Sequence, residues 1–174
     1  MKVMIAFATV EGQTEKIAGF VEEELRKNGH EVSVVKVTHE GQTPAFEDYD
    51  KVILAASVHE RRHPKSFEVL LASQKEMLAN KSTLLLSVSL KAAFEDGLEE
   101  AQDYVDEMKL RTGFEPDKEA LVAGAVRSSS YDYFQSQVVT HVLLGEHGHD
   151  SRGREQEFTD WERLTSITKE FVEA

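Results

Sequence analysis

Five short apolar runs alternate along this chain with stretches whose apolar residues recur at helical spacing. The runs Lys2–Ala8, Glu31–Val37, Lys51–Val58, Thr83–Leu90 and Ala120–Val126 have the length, the β-branched content and the turn-rich flanks of buried strands. Helices are predicted between them at about Thr14–Asn28, where Ile17, Phe20, Val21 and Leu25 share a face, at Lys65–Ala79 and at Glu95–Thr112. The connection Thr38–Asp50 is too short and polar to hold more than about a turn of helix. Thr159-Asp160-Trp161-Glu162 has the form of a capping box, and Trp161, Leu164, Ile167, Phe171 and Val172 then line one face, so a last helix is predicted after Thr159. Strand–helix alternation marks an α/β protein, and right-handed crossovers wind five such strands into a doubly wound parallel sheet.

One segment breaks the alternation. Between the last strand and the last helix lie residues 127–158, longer than a plain connection, and loops of more than about fifteen residues are usually functional or carry structure of their own. Phe134, Val138, Val142 and Leu143 are spaced for a helix over Tyr131–Leu144, followed by a polar tail at Gly145–Arg154. With 174 residues, 40% apolar content and only 10 Gly and 3 Pro, the chain suits one domain over 1–174 with a helical insert at about 127–158.

The sharpest chemical signal is where the first strand stops, at Thr9-Val10-Glu11-Gly12-Gln13-Thr14. Backbone N–H groups at a helix N-terminus lack intrahelical acceptors and sit at the positive end of the dipole, so they favour phosphate. Thr9 and Thr14 add hydroxyls, and Gly12 lets the backbone approach a ligand closely. No lysine follows as in a P-loop and no dinucleotide fingerprint is present, so a monophosphate held by hydroxyls and amides, such as that of flavin mononucleotide (FMN), fits best. A strand–turn–helix corner without a ligand is the alternative. The tetrapeptide recurs at Glu40-Gly41-Gln42-Thr43, but Pro44 follows and no amphipathic helix begins there, so context carries the signal.

These residues resemble the flavodoxin family, whose first loop reads T-x-T-G-x-T, with Glu11 here at a position usually held by threonine. The resemblance implies the sheet order 2-1-3-4-5, and ligands in such sheets bind beyond the strand C-termini where the order reverses. Three segments converge there: the loop after Ala8, the loop after Ser57 and the loop after Ser89. The expected FMN-binding residues are Thr9, Val10, Glu11, Gly12, Gln13, Thr14, Ser57, Val58, His59, Ser89 and Leu90.

Composition narrows the partners. A formal net charge of −12 disfavours attraction to nucleic acid and to anionic lipid. Zero cysteines exclude disulfides, thiolate catalysis and Cys-ligated metal. Neither a signal peptide nor a membrane-spanning run is evident, so a cytoplasmic protein is expected. Against this acidity, Ser57-Val58-His59-Glu60-Arg61-Arg62-His63-Pro64-Lys65 is a cationic cluster. It could stabilise an anionic reduced flavin or hold an anionic acceptor, or its arginines could simply pair with surface carboxylates. Ser87 and Ser89 offer hydroxyls for a flavin's pyrimidine edge, and Phe94 is either a ring neighbour or core. No metal is expected: Pro64 places His59 and His63 in a loop, and His141, His147 and His149 fall in or beside a polar tail.

The second half resembles a narrower branch, the menaquinone-dependent protoporphyrinogen IX dehydrogenases. The matching residues are Ala123-Gly124-Ala125-Val126-Arg127, a tyrosine-bearing insert and Phe158-Thr159-Asp160-Trp161-Glu162, together with Gly12-Gln13-Thr14, Tyr49-Asp50, Ala56-Ser57-Val58 and Phe114-Glu115-Pro116-Asp117. The resemblance implies an FMN-dependent oxidoreductase with a small-molecule or quinone redox partner and an insert near the substrate; Arg61, Arg62 and His63 of the cationic cluster, with Arg127 and Tyr131 at the insert, are the candidate substrate contacts, and no catalytic side chain is implied. Peripheral membrane contact and a homodimer through the insert stay open. Two features depart from that branch: Glu95-Asp96 and Glu99-Glu100 are acidic where it is basic, and Tyr131–Gly145 contains no lysine or arginine. An electron-transferring flavodoxin and a flavin-free interaction domain are the alternative readings.

Overall fold

The computed structural model describes residues 1–126 and 156–174. Arg127, Tyr131, Ser128–Ser130, the helix expected over 131–144 and the histidine-bearing tail lie outside the described residues. The strands β1 (Lys2–Ala8), β2 (Glu31–Lys36), β3 (Lys51–Ser57), β4 (Ser82–Ser89) and β5 (Lys118–Ala123) form a parallel sheet in the expected order β2-β1-β3-β4-β5. The helices α1 (Gln13–Lys27) and α4 (Trp161–Glu173) cover one face, and α2 (Lys65–Ala79) and α3 (Leu98–Thr112) the other.

Two cores follow from this layering. Val3, Ile5 and Phe7 of β1 pack with Ile53, Leu84 and Leu86 against Ile17, Val21 and Leu25 of α1 and Leu164 and Phe171 of α4. The alternate residues Met4, Ala6 and Ala8 join Val52, Leu54 and Leu85 against Phe67, Leu71 and Leu78 of α2 and Val105 and Met108 of α3. Burial on both faces makes β1 and β3 read as near-continuous apolar runs, whereas β4 also buries Thr83, Ser87 and Ser89, and the edge strands β2 and β5 are only partly buried. The helix-free link from β2 to β3 is pinned by Phe46, which is buried in the second core, and by a hydrogen bond from the Tyr49 hydroxyl to Ser33 Oγ.

The bottom ends of the strands are tied by two carboxylates. Asp50 Oδ2 accepts from Lys2 N–H at 2.7 Å, and Asp117 Oδ2 accepts from Thr83 N–H at 2.8 Å while its own N–H donates to Thr83 Oγ1 at 3.0 Å. Lys51, buried at the start of β3, donates through Nζ to the carbonyls of Phe171 and Ala174 and so anchors the end of α4. These clamps act far from the strand tips, so Tyr49-Asp50 and the Phe114–Asp117 segment are structural signatures.

Three boundaries differ from expectation. The fifth strand leaves the sheet at Gly124; Ala125–Val126 (β6) is apolar because it is buried, and it pairs antiparallel with Gln156–Glu157 (β7) in a separate two-stranded ladder. The last helix is capped by Asp160, whose Oδ1 accepts from Arg163 N–H at 3.0 Å, and not by Thr159, whose hydroxyl is committed to Ala123 O at 2.7 Å. The third helix begins at Leu98 and not at Glu95, because Lys91–Ala93 and Glu95–Gly97 form two 3₁₀ turns that fold the chain back on itself. The return is tight: a Cβ on Gly97 would lie 2.4 Å from Lys91 O.

Replacing Gly97 with alanine should therefore force the β4–α3 loop apart and lower stability by about 1–3 kcal/mol. The expected signature is a lower urea midpoint with an unchanged m-value in equilibrium unfolding.

Candidate functional site

The strand tips of β1, β3 and β4 open onto one crevice. Its walls are Thr9, Glu11 and Gln13 from the first loop, Ser57 and Val58 from the end of β3, Val88, Ser89 and Leu90 from the end of β4, and Gly124 and Ala125 beyond β5. The loops stand close, leaving about 30 Å³ of free volume among the described residues. Two contacts hold the first loop to the second: Val10 N–H donates to Ser57 Oγ at 3.3 Å, and Glu11 Oε1 lies 3.3 Å from His59 Nδ1.

The start of α1 has the chemistry of an anion cradle. Gly12 takes φ 97°, in the left-handed region that a side chain disfavours, and its N–H is accepted by Thr9 Oγ1 at 2.9 Å. Gly12 gives no side-chain cap, and the first-turn N–H groups after it have no acceptor within the helix. Thr14 is fully buried, and its hydroxyl has no hydrogen-bond partner among the described residues. A buried hydroxyl without a partner costs about 1–3 kcal/mol, and an oxyanion at this helix start would supply the acceptor. The donor set therefore fits a phosphate, and Glu11 is the one group in the loop whose charge opposes it.

Other expected residues divide. Gln13 is in the cradle by its backbone, but its side chain is buried and directed to the segment before α4, with Nε2 donating to Thr159 Oγ1 at 3.0 Å and to Glu157 Oε2 at 3.2 Å. Ser89 lines the crevice and its Oγ accepts from Ala92 N–H, whereas Ser87 lies below it, hydrogen-bonded to His63. Phe94 packs edge-to-face on Phe158, ring centroids 5.5 Å apart. Gly124 and Ala125 of the crevice, and Glu157 and Thr159 behind it, were not anticipated as site residues; for Gly124, Ala125 and Thr159 the sequence signal was membership of the second-half motif, and Glu157 lies just outside it.

Residues 4–152 match the flavodoxin domain. The chain belongs to this family. It is 27% identical over 173 residues to the protoporphyrinogen IX dehydrogenase (quinone) of Escherichia coli, covering 99% of this chain and 95% of that one. Among solved structures, oxidised flavodoxin 2 from Bacillus cereus superposes with a TM-score of 0.61 at 19% identity over 99% of both chains. The Fusobacterium nucleatum flavodoxin bound to flavin mononucleotide gives a TM-score of 0.50 at 15% identity over 98% of both. No helix among the described residues is long and apolar enough to cross a membrane.

In this flavodoxin-domain protein the cationic loop is largely neutralised. His59 and Arg62 exchange backbone hydrogen bonds around Glu60 and Arg61, which both take positive φ, so the loop is a tight hairpin with Arg61 at its tip. Arg61 pairs with Glu100 at 2.9 Å and lies over the Tyr104 ring, while Lys91 pairs with the other oxygen of Glu100. Arg62 and Arg111 converge on the buried Glu68; burial pushes that carboxyl up, and hydrogen bonds from the two guanidinium groups outweigh this and hold it below its ordinary range. Both arginines of the cluster thus pair with carboxylates, Arg61 with Glu100 at the surface and Arg62 with the buried Glu68. A hollow of about 610 Å³ off the edge of β5, lined by Leu121, Phe158, Leu164 and Ile167 among others, shares no residue with the crevice, and the helix start beside it is already capped by Asp160.

His63 is 3% exposed, with Nε2 2.8 Å from Ser87 Oγ and Nδ1 without a partner among the described residues. Burial pushes its pKa down to about 4, with Glu68 pulling it up and Arg111 pushing it further down. The unfolded chain, near 6.5, then takes up the proton first, so the contribution of neutral His63 to stability is complete above about pH 6.5 and is lost as pH falls towards 4. Comparing chemical unfolding of wild type and His63→Leu across pH 7.5 to 4, the wild type should lose up to roughly 3 kcal/mol more than the variant over that window.

Proposed function

We propose that this protein is an FMN-dependent oxidoreductase of the protoporphyrinogen IX dehydrogenase (quinone) kind. The observation that carries the cofactor is the fully buried Thr14 hydroxyl, which lacks a partner among the described residues beneath the left-handed turn at Gly12. The flavodoxin bound to flavin mononucleotide supports the same ligand on this fold, and the full-length similarity to a quinone-linked dehydrogenase supports the reaction.

When bound, the flavin ring supplies two-electron exchange between a reduced donor and an oxidised acceptor. The first-turn amides of α1 and the hydroxyl of Thr14 bind the phosphoryl end, and the positive end of the helix dipole offsets its charge. Ser57, Val58, Ser89 and Leu90 wall the opening where the ring edge would rest, orienting it through strand-end backbone held by the sheet. His59 Nδ1 lies 3.3 Å from Glu11 Oε1 at the same mouth and so holds that carboxylate to the second loop. The chain's contribution is binding, orientation and electrostatics, with a quinone as the acceptor and a porphyrinogen as the donor.

Titration of flavin-free protein with FMN should quench flavin fluorescence and give a bound-flavin absorbance spectrum. Thr14→Val should weaken FMN about tenfold, the worth of a hydrogen bond to a charged group, while leaving riboflavin, which lacks the phosphate, nearly unchanged. Turnover is then read as protoporphyrin fluorescence appearing from protoporphyrinogen IX with a menaquinone analogue. Tight FMN binding without that turnover sinks the substrate and leaves the cofactor standing.

A further inference from the structure

Gln13 sits in the first turn of the cradle yet sends its side chain away from it. It is 5% exposed, and its Nε2 donates to Thr159 Oγ1 at 3.0 Å and to Glu157 Oε2 at 3.2 Å, partners more than 140 residues further along the chain. Thr159 passes the link on, its hydroxyl donating to Ala123 O at 2.7 Å at the end of β5. Glu157 gathers three donors. Oε2 also takes Lys16 Nζ at 2.6 Å, from the next turn of α1, and Oε1 takes Trp161 Nε1 at 2.9 Å. Burial pushes the Glu157 carboxyl up, but the hydrogen bonds from Lys16, Trp161 and Gln13 outweigh it and hold the group ionised. Trp161 in turn packs on Phe20 of α1 with ring centroids 4.8 Å apart.

The other end of this network is a wall of the crevice. Glu157 pairs with Ala125 in the β6–β7 ladder, and Phe158 N–H donates to Gly124 O at 3.0 Å. Gly124 and Ala125 line the crevice opposite the first loop. One glutamine therefore spans the gap between the phosphate end and the β6–β7 wall from behind. Its main chain cannot shift without breaking both side-chain bonds.

We infer that Gln13 is a positioning residue: through Glu157 and Thr159 it locks the α1 phosphate cradle to the β6–β7 stem, so that flavin phosphate binding and stem order are coupled. This rests on the FMN reading above. The mechanism needs no contact between the Gln13 side chain and the ligand. Its main-chain N–H and that of Thr14 are cradle donors, and their aim depends on the anchored side chain. By linkage, a ligand that orders the cradle must stabilise the stem by the same free energy that the stem lends to binding.

The test compares FMN with riboflavin, by fluorescence titration of the flavin-free full chain, in wild type, Gln13→Ala, Thr159→Val and Glu157→Ala. Gln13→Ala should weaken FMN about tenfold and riboflavin by less than about twofold, in line with the loss of aim at a charged group. The double variant Gln13→Ala with Glu157→Ala should bind FMN no more than slightly worse than the weaker single variant, because the two residues act through one link. Hydrogen exchange adds an independent readout: FMN should slow exchange of the Phe158 amide in wild type and do so less in Gln13→Ala. A single cooperative melting transition in each variant shows that it is folded. Equal FMN affinity in wild type and Gln13→Ala, or equal losses for FMN and riboflavin, overturns the inference alone. Failure of the wild type to bind FMN overturns both it and the cofactor assignment.

Discussion

Burial of the three central strands on both faces is the constraint on which the rest of the molecule depends. With β1 and β3 apolar at nearly every position and β4 buried along almost its whole length, helices must cover both sides of the sheet. Chemistry is displaced to the strand ends. There, parallel pairing puts every strand-to-helix turn at the same end of the sheet, and the order β2-β1-β3-β4-β5 opens a gap between the turns after β1 and β3.

The two ends of the sheet are used differently. At the bottom, Asp50 and Asp117 clamp neighbouring backbone, and Lys51 fixes the end of α4. At the top, Gly12 gives the start of α1 no side-chain cap, and the buried Thr14 hydroxyl has no partner among the described residues. The free energy of satisfying that buried hydroxyl is available to a ligand at the opening. The acidic chain also handles its local basic loop conservatively, since Glu68 and Glu100 each take two cations and little unbalanced positive charge from Arg61 and Arg62 reaches the crevice.

The strands and helices were legible from sequence because they rest on local pattern: apolar runs mark the buried strands, amphipathic helices leave a stripe, and Gly12 in the turn after β1 does take positive φ, whereas the strand order came from the family resemblance. What escaped was set by distant partners. Thr159 looks like a helix cap until Ala123 and Gln13 claim its hydroxyl. Val126 looks like the end of a strand until the ladder with Gln156 takes it out of the sheet. His63 looks like a loop histidine, and only the fold shows that it is buried against Ser87. Apolar spacing reports burial, but it does not report which element does the burying.

The short ladder between Ala125–Val126 and Gln156–Glu157 has an evolutionary consequence. Because the outgoing and returning chain are stitched together two residues beyond the sheet, β5 and α4 feel a closed rung whatever lies past it. The entropy of closing a longer excursion grows only with the logarithm of its length. Relatives can therefore lengthen, shorten or rewrite that excursion without retuning the scaffold that carries the crevice.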